Sequence, residues 1–138
     1  MPALDQCHDQ VVRALQKDGW QLEASPSRLY LPYRYVYVDL RMSRRVNGKW
    51  EQLMLVEVKC FPDENNTTPD LYLALGQYLI YRTIVLELNL SVPLYLSVPE
   101  HIFAEIFDPA VMRTIRDNQI NIVVINLEQE KVIKWIEQ

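Results

Sequence analysis

The sequence predicts an α/β fold in which one mixed central sheet is flanked by helices. Three observations point there. Apolar residues recur at helical spacing over residues 4–18, and a second, longer helix is expected over about 69–88. Two runs rich in β-branched and aromatic types, 35–42 and 50–60, flank an Asn47-Gly48 turn. A strand, two short helices and a closing hairpin then complete an order that buries sheet against helices. The 138 residues suit a single domain, 1–138, large enough to bury a core without staples.

The elements follow in order. Leu4, Cys7, Val11 and Leu15 line one side of the first helix, and Gly19 can end it in a left-handed conformation. Residues 20–24 and 28–31 are short strands separated by Ser25-Pro26-Ser27. Residues 35–42 form a strand that turns at Asn47-Gly48 and returns over 50–60. Thr68 is placed to cap the long helix, with Pro69 at its first position. Residues 92–98 form a strand, 100–106 and 109–117 short helices, and 120–127 with 131–136 the closing hairpin. The apolar run 131–136 predicts a sheet edge open to pairing with another chain, either a companion protein or a second copy.

Composition narrows the function classes. No apolar run approaches the roughly 20 residues of a membrane helix, and the N-terminus lacks a signal-peptide layout. A cytoplasmic protein is expected, with Cys7 and Cys60 as small buried hydrophobes rather than a disulfide. No CxxC pair supports structural zinc. A net charge of −4 argues against coating nucleic acid by bulk electrostatics. Residues 1–59 nevertheless hold nine Lys/Arg against seven Asp/Glu, so a nucleic-acid partner should touch this half. Arg41, Arg44, Arg45 and Lys49 around the hairpin offer the docking surface.

Three charged residues interrupt strands that otherwise read as buried. On the return strand Leu53, Leu55, Glu57 and Lys59 share a face. On its partner Tyr35, Tyr37, Asp39 and Arg41 share one, and Val36, Val38, Leu40 and Met42 the other. A buried charge must be paired or bind a metal. Asp39 and Glu57 around a divalent cation, with Lys59 beside them, would satisfy all three. Hard oxygen ligands favour Mg²⁺ or Mn²⁺. The same spacing also fits a plain ion pair near a sheet end.

Register decides between these. A two-residue turn pairs Asp39 with Val56 and sends Asp39 and Glu57 to opposite faces. A three-residue loop, 46–48, pairs Asp39 with Leu55 and leaves Glu57 diagonal to it at roughly 7–8 Å. The metal reading therefore requires an odd loop or a bulge.

Tyr35-Val-Tyr-Val-Asp39 followed by Leu55-Val-Glu57-Val-Lys59 resembles the acidic and D/ExK motifs of the PD-(D/E)XK nuclease superfamily. Gln77-Tyr78-Leu79-Ile80-Tyr81 is similar to the QhxxY motif of its RecB-like branch, with Gln77 and Tyr81 one helical turn apart. Nearly the whole chain resembles XisH, the fdxN-element excision controlling factors of cyanobacteria. His8 to Trp20, Tyr37-Val-Asp-Leu, Val56-Glu-Val-Lys, Leu73-Ala-Leu-Gly-Gln-Tyr, Leu94-Tyr-Leu-Ser-Val-Pro99 and Val132-Ile-Lys-Trp-Ile carry the likeness. It implies a restriction-endonuclease-like fold and a role in programmed DNA excision beside a separate site-specific recombinase and a companion protein, XisI. Two departures stand out: the glycine expected before the first acid is absent, and the first helix carries no clear Glu. His8, with Asp5 or Asp9, is the nearest candidate for a further metal ligand. Two function classes follow. One is an Mg²⁺-dependent DNA nuclease in which Asp39 and Glu57 hold metal, Lys59 positions water or steadies charge, and Gln77 and Tyr81 orient substrate or Lys59. The other is a nuclease-fold module that bridges DNA, XisI and a recombinase without cutting.

Overall fold

The computed structural model describes residues 6–48 and 50–138, the side chain of Trp50 excepted. Residues 1–5, which include the first two of the expected opening helix and the candidate Asp5, and Lys49 lie outside the described residues. Helix α1 (His8–Lys17) is followed by strands β1 (Gln21–Ala24), β2 (Ser27–Tyr30), β3 (Tyr35–Val38), β4 (Leu40–Val46) and β5 (Trp50–Val58). Helix α2 (Thr67–Glu87), strand β6 (Leu94–Pro99), helices α3 (Glu100–Ile106) and α4 (Pro109–Asp117), and strands β7 (Asn121–Asn126) and β8 (Lys131–Ile136) complete the chain.

The main sheet has the order β1-β4-β5-β6-β7-β8, and β2 and β3 pair separately. β5, β6 and β7 run parallel, and the outer pairings are antiparallel. The parallel steps require crossovers, supplied by α2 and by α3 with α4. All three helices cover one face, where Leu71, Tyr78, Ile102 and Ile115 pack on Leu55, Leu96 and Val124. α1 covers the other, where Val11 and Leu15 meet Met42, Val56 and Val123.

Helix ends follow local chemistry. Gly19 takes φ +96°, and its N–H and that of Trp20 reach the carbonyls of Gln16 and Leu15. Asn89 and Gln119 end α2 and α4 with the same bond pattern. α2 starts two residues before the expected Pro69, with Asn66 rather than Thr68 at the cap position. Pro69 fits there because the N–H groups of a first turn have no helical partner to lose.

Two expectations are overturned. The run 35–42 is not one strand: Val36 and Val38 pack toward α2, whereas Leu40 and Met42 pack toward α1. The chain rotates at Asp39 as it leaves the small sheet and enters the main one. Cys7 and Cys60 form a disulfide, with Cα atoms 5.8 Å apart. The start of α1 and the end of β5 lie close enough to be bridged, a proximity that residues 53 apart in sequence do not announce.

Candidate active site

β4 and β5 pair Val46 with Trp50 and Leu40 with Val56, which leaves an odd loop of residues 47–49. The loop sits one residue further along than the expected 46–48. Asp39 therefore comes level with Glu57 rather than diagonal to it, and the two share a side of β5. Both Asn47 and Gly48 have positive φ, 55° and 70°. Asparagine and glycine take that conformation at least strain.

The strand break at Asp39 shapes the site. β5 continues past the end of β4, so Val58 N–H faces a side with no strand to pair. Asp39 Oδ2 accepts it at 2.8 Å. In return Asp39 N–H donates to Glu57 Oε1 at 3.1 Å. Each carboxylate thus spends one oxygen on a backbone N–H, and the second oxygen of each accepts no hydrogen bond among the described residues.

Glu57 is only 4% exposed. Burial, followed by the Asp39 charge and hydrogen bond, pushes its pKa up to about 8, against partial relief from Asp39 N–H and from Lys59. Lys59 projects from the same side of β5, two residues on. It makes no ion pair with Glu57: among the described residues the ion pairs are His8–Asp9, Arg13–Glu130, Arg113–Asp117 and Arg116–Asp117. Lys59 instead lines an open cleft of about 620 Å³ with Gln77, Tyr81, Arg34 and Val36. Gln77 Nε2 donates to the Tyr81 hydroxyl at 3.0 Å, as residues one turn apart can. Burial raises the Tyr81 phenol, and the Glu57 and Asp39 charges raise it further. Lys59, Gln77 and Tyr81 thus line one cleft; Asp39 and Glu57 do not line it but lie close enough for their charges to act on Tyr81.

Other candidates lie apart. His8 bonds Ser25 Oγ at 2.9 Å and Asp9 at 3.5 Å, and no three His, Cys, Asp or Glu side chains gather among the described residues. Arg41 and Arg44 point to opposite faces of β4: Arg41 borders the cavity beside β2, whereas Arg44 stacks on Trp20 at 4.6 Å. Arg45 is exposed. Lys49 lies outside the described residues.

The family model for XisH protein matches residues 1–133. The chain belongs to the XisH family. An XisH family protein from Nostoc punctiforme is 28% identical, with a TM-score of 0.85 over 96% of this chain and 100% of its own. The fdxN element excision controlling factor of Anabaena variabilis is also 28% identical, with a TM-score of 0.83 over the same shares. No curated protein matches the chain. Among the described residues of this XisH-family chain, no helix is long and apolar enough to cross a membrane.

Sequence reasoning missed Arg34, which reaches the cleft from the turn before β3. Its signal was present in the acid-free run 24–38, which places Arg34 between Tyr33 and Tyr35.

Proposed function

We propose that this chain is a factor of programmed DNA-element excision with a restriction-endonuclease-like, PD-(D/E)XK-type core, and that Asp39, Glu57 and Lys59 form an Mg²⁺-dependent phosphodiester-cleaving site. The observation that carries the reading is the acid pair, with Glu57 buried and Asp39 half-buried. Two carboxylates face each other with one oxygen apiece uncommitted, and the lysine beside them is unpaired with either. Such a pair holds a proton or a cation. Mg²⁺ or Mn²⁺ fits the donor set, since Mg²⁺ commonly binds through one or two carboxylates and keeps its waters. When bound, the cation would polarise a phosphate oxygen and acidify a water. Asp39 and Glu57 would hold it, each fixed by a backbone hydrogen bond. Lys59 Nζ, held in the cleft, would orient the attacking water or offset charge developing on the phosphate. Gln77 and Tyr81, bonded to each other, would fix the far wall and orient substrate or Lys59.

A second reading has its own support. The hydrogen bonds that tie Asp39 to Glu57 and Val58 also seal a strand break, which a non-cutting module bridging DNA, an XisI-like companion and a recombinase would need as much as an enzyme. Cleavage separates the two. Incubated with Mg²⁺ or Mn²⁺, the parent is expected to cut nicked or branched DNA, and Lys59→Met to cut about 10²-fold more slowly or worse. Equal cleavage by the two proteins would remove Lys59 from the chemistry. A parent inert on all substrates would favour the bridging module.

A further inference from the structure

We infer that the outer face of the β2–β3 sheet is a stacking platform for single-stranded nucleic acid, which feeds an unpaired strand toward the cleft lined by Arg34 and Lys59. The alternation along these strands sets it up. Leu29, Val36 and Val38 turn inward onto the α2-side core, so Arg28, Tyr30, Tyr35 and Tyr37 turn outward. Register pairs Arg28 with Tyr37 and Tyr30 with Tyr35. The Arg28 guanidinium lies 4.9–5.7 Å from the centroids of all three rings and donates to the hydroxyls of Tyr30 and Tyr37 at 3.1 and 2.9 Å. Neighbouring rings stand 5.5 and 6.2 Å apart. Tyr30 and Tyr35 are 64% and 52% exposed, and Tyr33, at the hairpin tip under Arg34, is 77% exposed.

Large aromatic rings held open to solvent around a guanidinium form a preorganised surface. Charge identifies the occupant it suits. Residues 24–38 contain Arg28 and Arg34 and no acid, in a chain of net charge −4. Arg41 adds a cation beside Arg28 and Tyr30, and Lys59 adds one beside Arg34 in the cleft. Unpaired bases stack on rings while cations meet phosphates, a combination suited to single strands. A duplex hides its base faces and would leave the tyrosines unused. Arg34, in the turn between β2 and β3, also lines the Lys59 cleft, so a strand lying on the platform would lead toward it. In this the inference rests on the nuclease reading for its purpose, though not for its binding.

The test is fluorescence anisotropy in EDTA with labelled oligothymidylate of about 15 nucleotides and a blunt duplex of equal length. The parent is expected to prefer the single strand. Tyr30→Ala with Tyr35→Ala should weaken single-strand binding about tenfold or more, with duplex binding little changed. Arg28→Lys keeps the charge, loses the planar stack and should give a smaller loss, which keeps the test alive if the double variant does not fold. Because binding is read in EDTA, where a metal-dependent site cannot cut, failure of cleavage and failure of the platform register separately. A parent without single-strand preference would overturn the inference. So would folded variants that bind like the parent, the result expected if this face docks a protein.

Discussion

Two charged pairs in this molecule tie distant parts of the chain together, and they differ in what surrounds them. Arg13 on α1 meets Glu130 beside β8 in open solvent, with Nη2 and Nε at 2.6 and 2.9 Å from one carboxylate oxygen. The hydrogen bond raises the guanidinium and lowers the carboxyl, so each partner holds the other in its charged form. Asp39 and Glu57 are like charges, and Glu57 is buried; here the environment works against the charged form and lifts Glu57 to about 8. The first pair is complete as it stands. The second is completed only by a proton or a cation, which is why it reads as a site and the first as surface structure. Both pairs were placed by folding, so geometry alone does not separate them; burial and the sign of the partner do.

The comparison can be broken most severely through pH. In metal-free protein Glu57 binds its proton more tightly folded than unfolded, because its pKa rises from 4.5 to about 8. Folding therefore takes up a proton between those values, and stability should be greatest at the acid end and fall as pH rises from 4.5 to about 8. The total loss should be on the order of a few kcal/mol. Glu57→Gln should flatten this dependence in urea melts recorded in EDTA. A parent already flat across that window would mean that the pair is wetter than the structure places it.

The smallest effect should come from Arg13→Gln. Glu130 is lowered, so its contribution is present above the ordinary carboxylate range and is lost as pH falls through the folded value. An exposed pair contributes little and is screened by salt. Melting temperatures of parent and variant should nearly coincide and converge further in high salt. A large, salt-resistant difference would put Arg13 among the structural residues and dissolve the contrast.

Much of the site was legible because strands alternate and helices repeat. The i, i+2 spacing of Glu57 and Lys59 and the i, i+4 spacing of Gln77 and Tyr81 each predict a shared side, and the structure keeps both. Parity also showed that the metal reading requires an odd loop or a bulge, while the two-residue turn stayed open. Which three residues form the loop it did not show, since 46–48 and 47–49 give the same parity and only strand pairing chooses between them. The break at Asp39 left no local mark, because Tyr35 to Met42 are nearly all good strand formers. Proximity of Cys7 and Cys60 is tertiary and equally silent. The division of Arg41 from Arg44 was readable from alternation, since residues three apart on a strand face opposite ways.

The central claim is that Asp39 and Glu57 together hold a divalent cation. Thermal melting of parent and Asp39→Asn across a titration of Mg²⁺ or Mn²⁺, at neutral pH, tests it most directly. A cation that binds only the folded site raises the parent's melting temperature with concentration, by mass action. The account predicts that rise in the parent and its loss in Asp39→Asn. An equal rise in both proteins, or none in the parent, would contradict it.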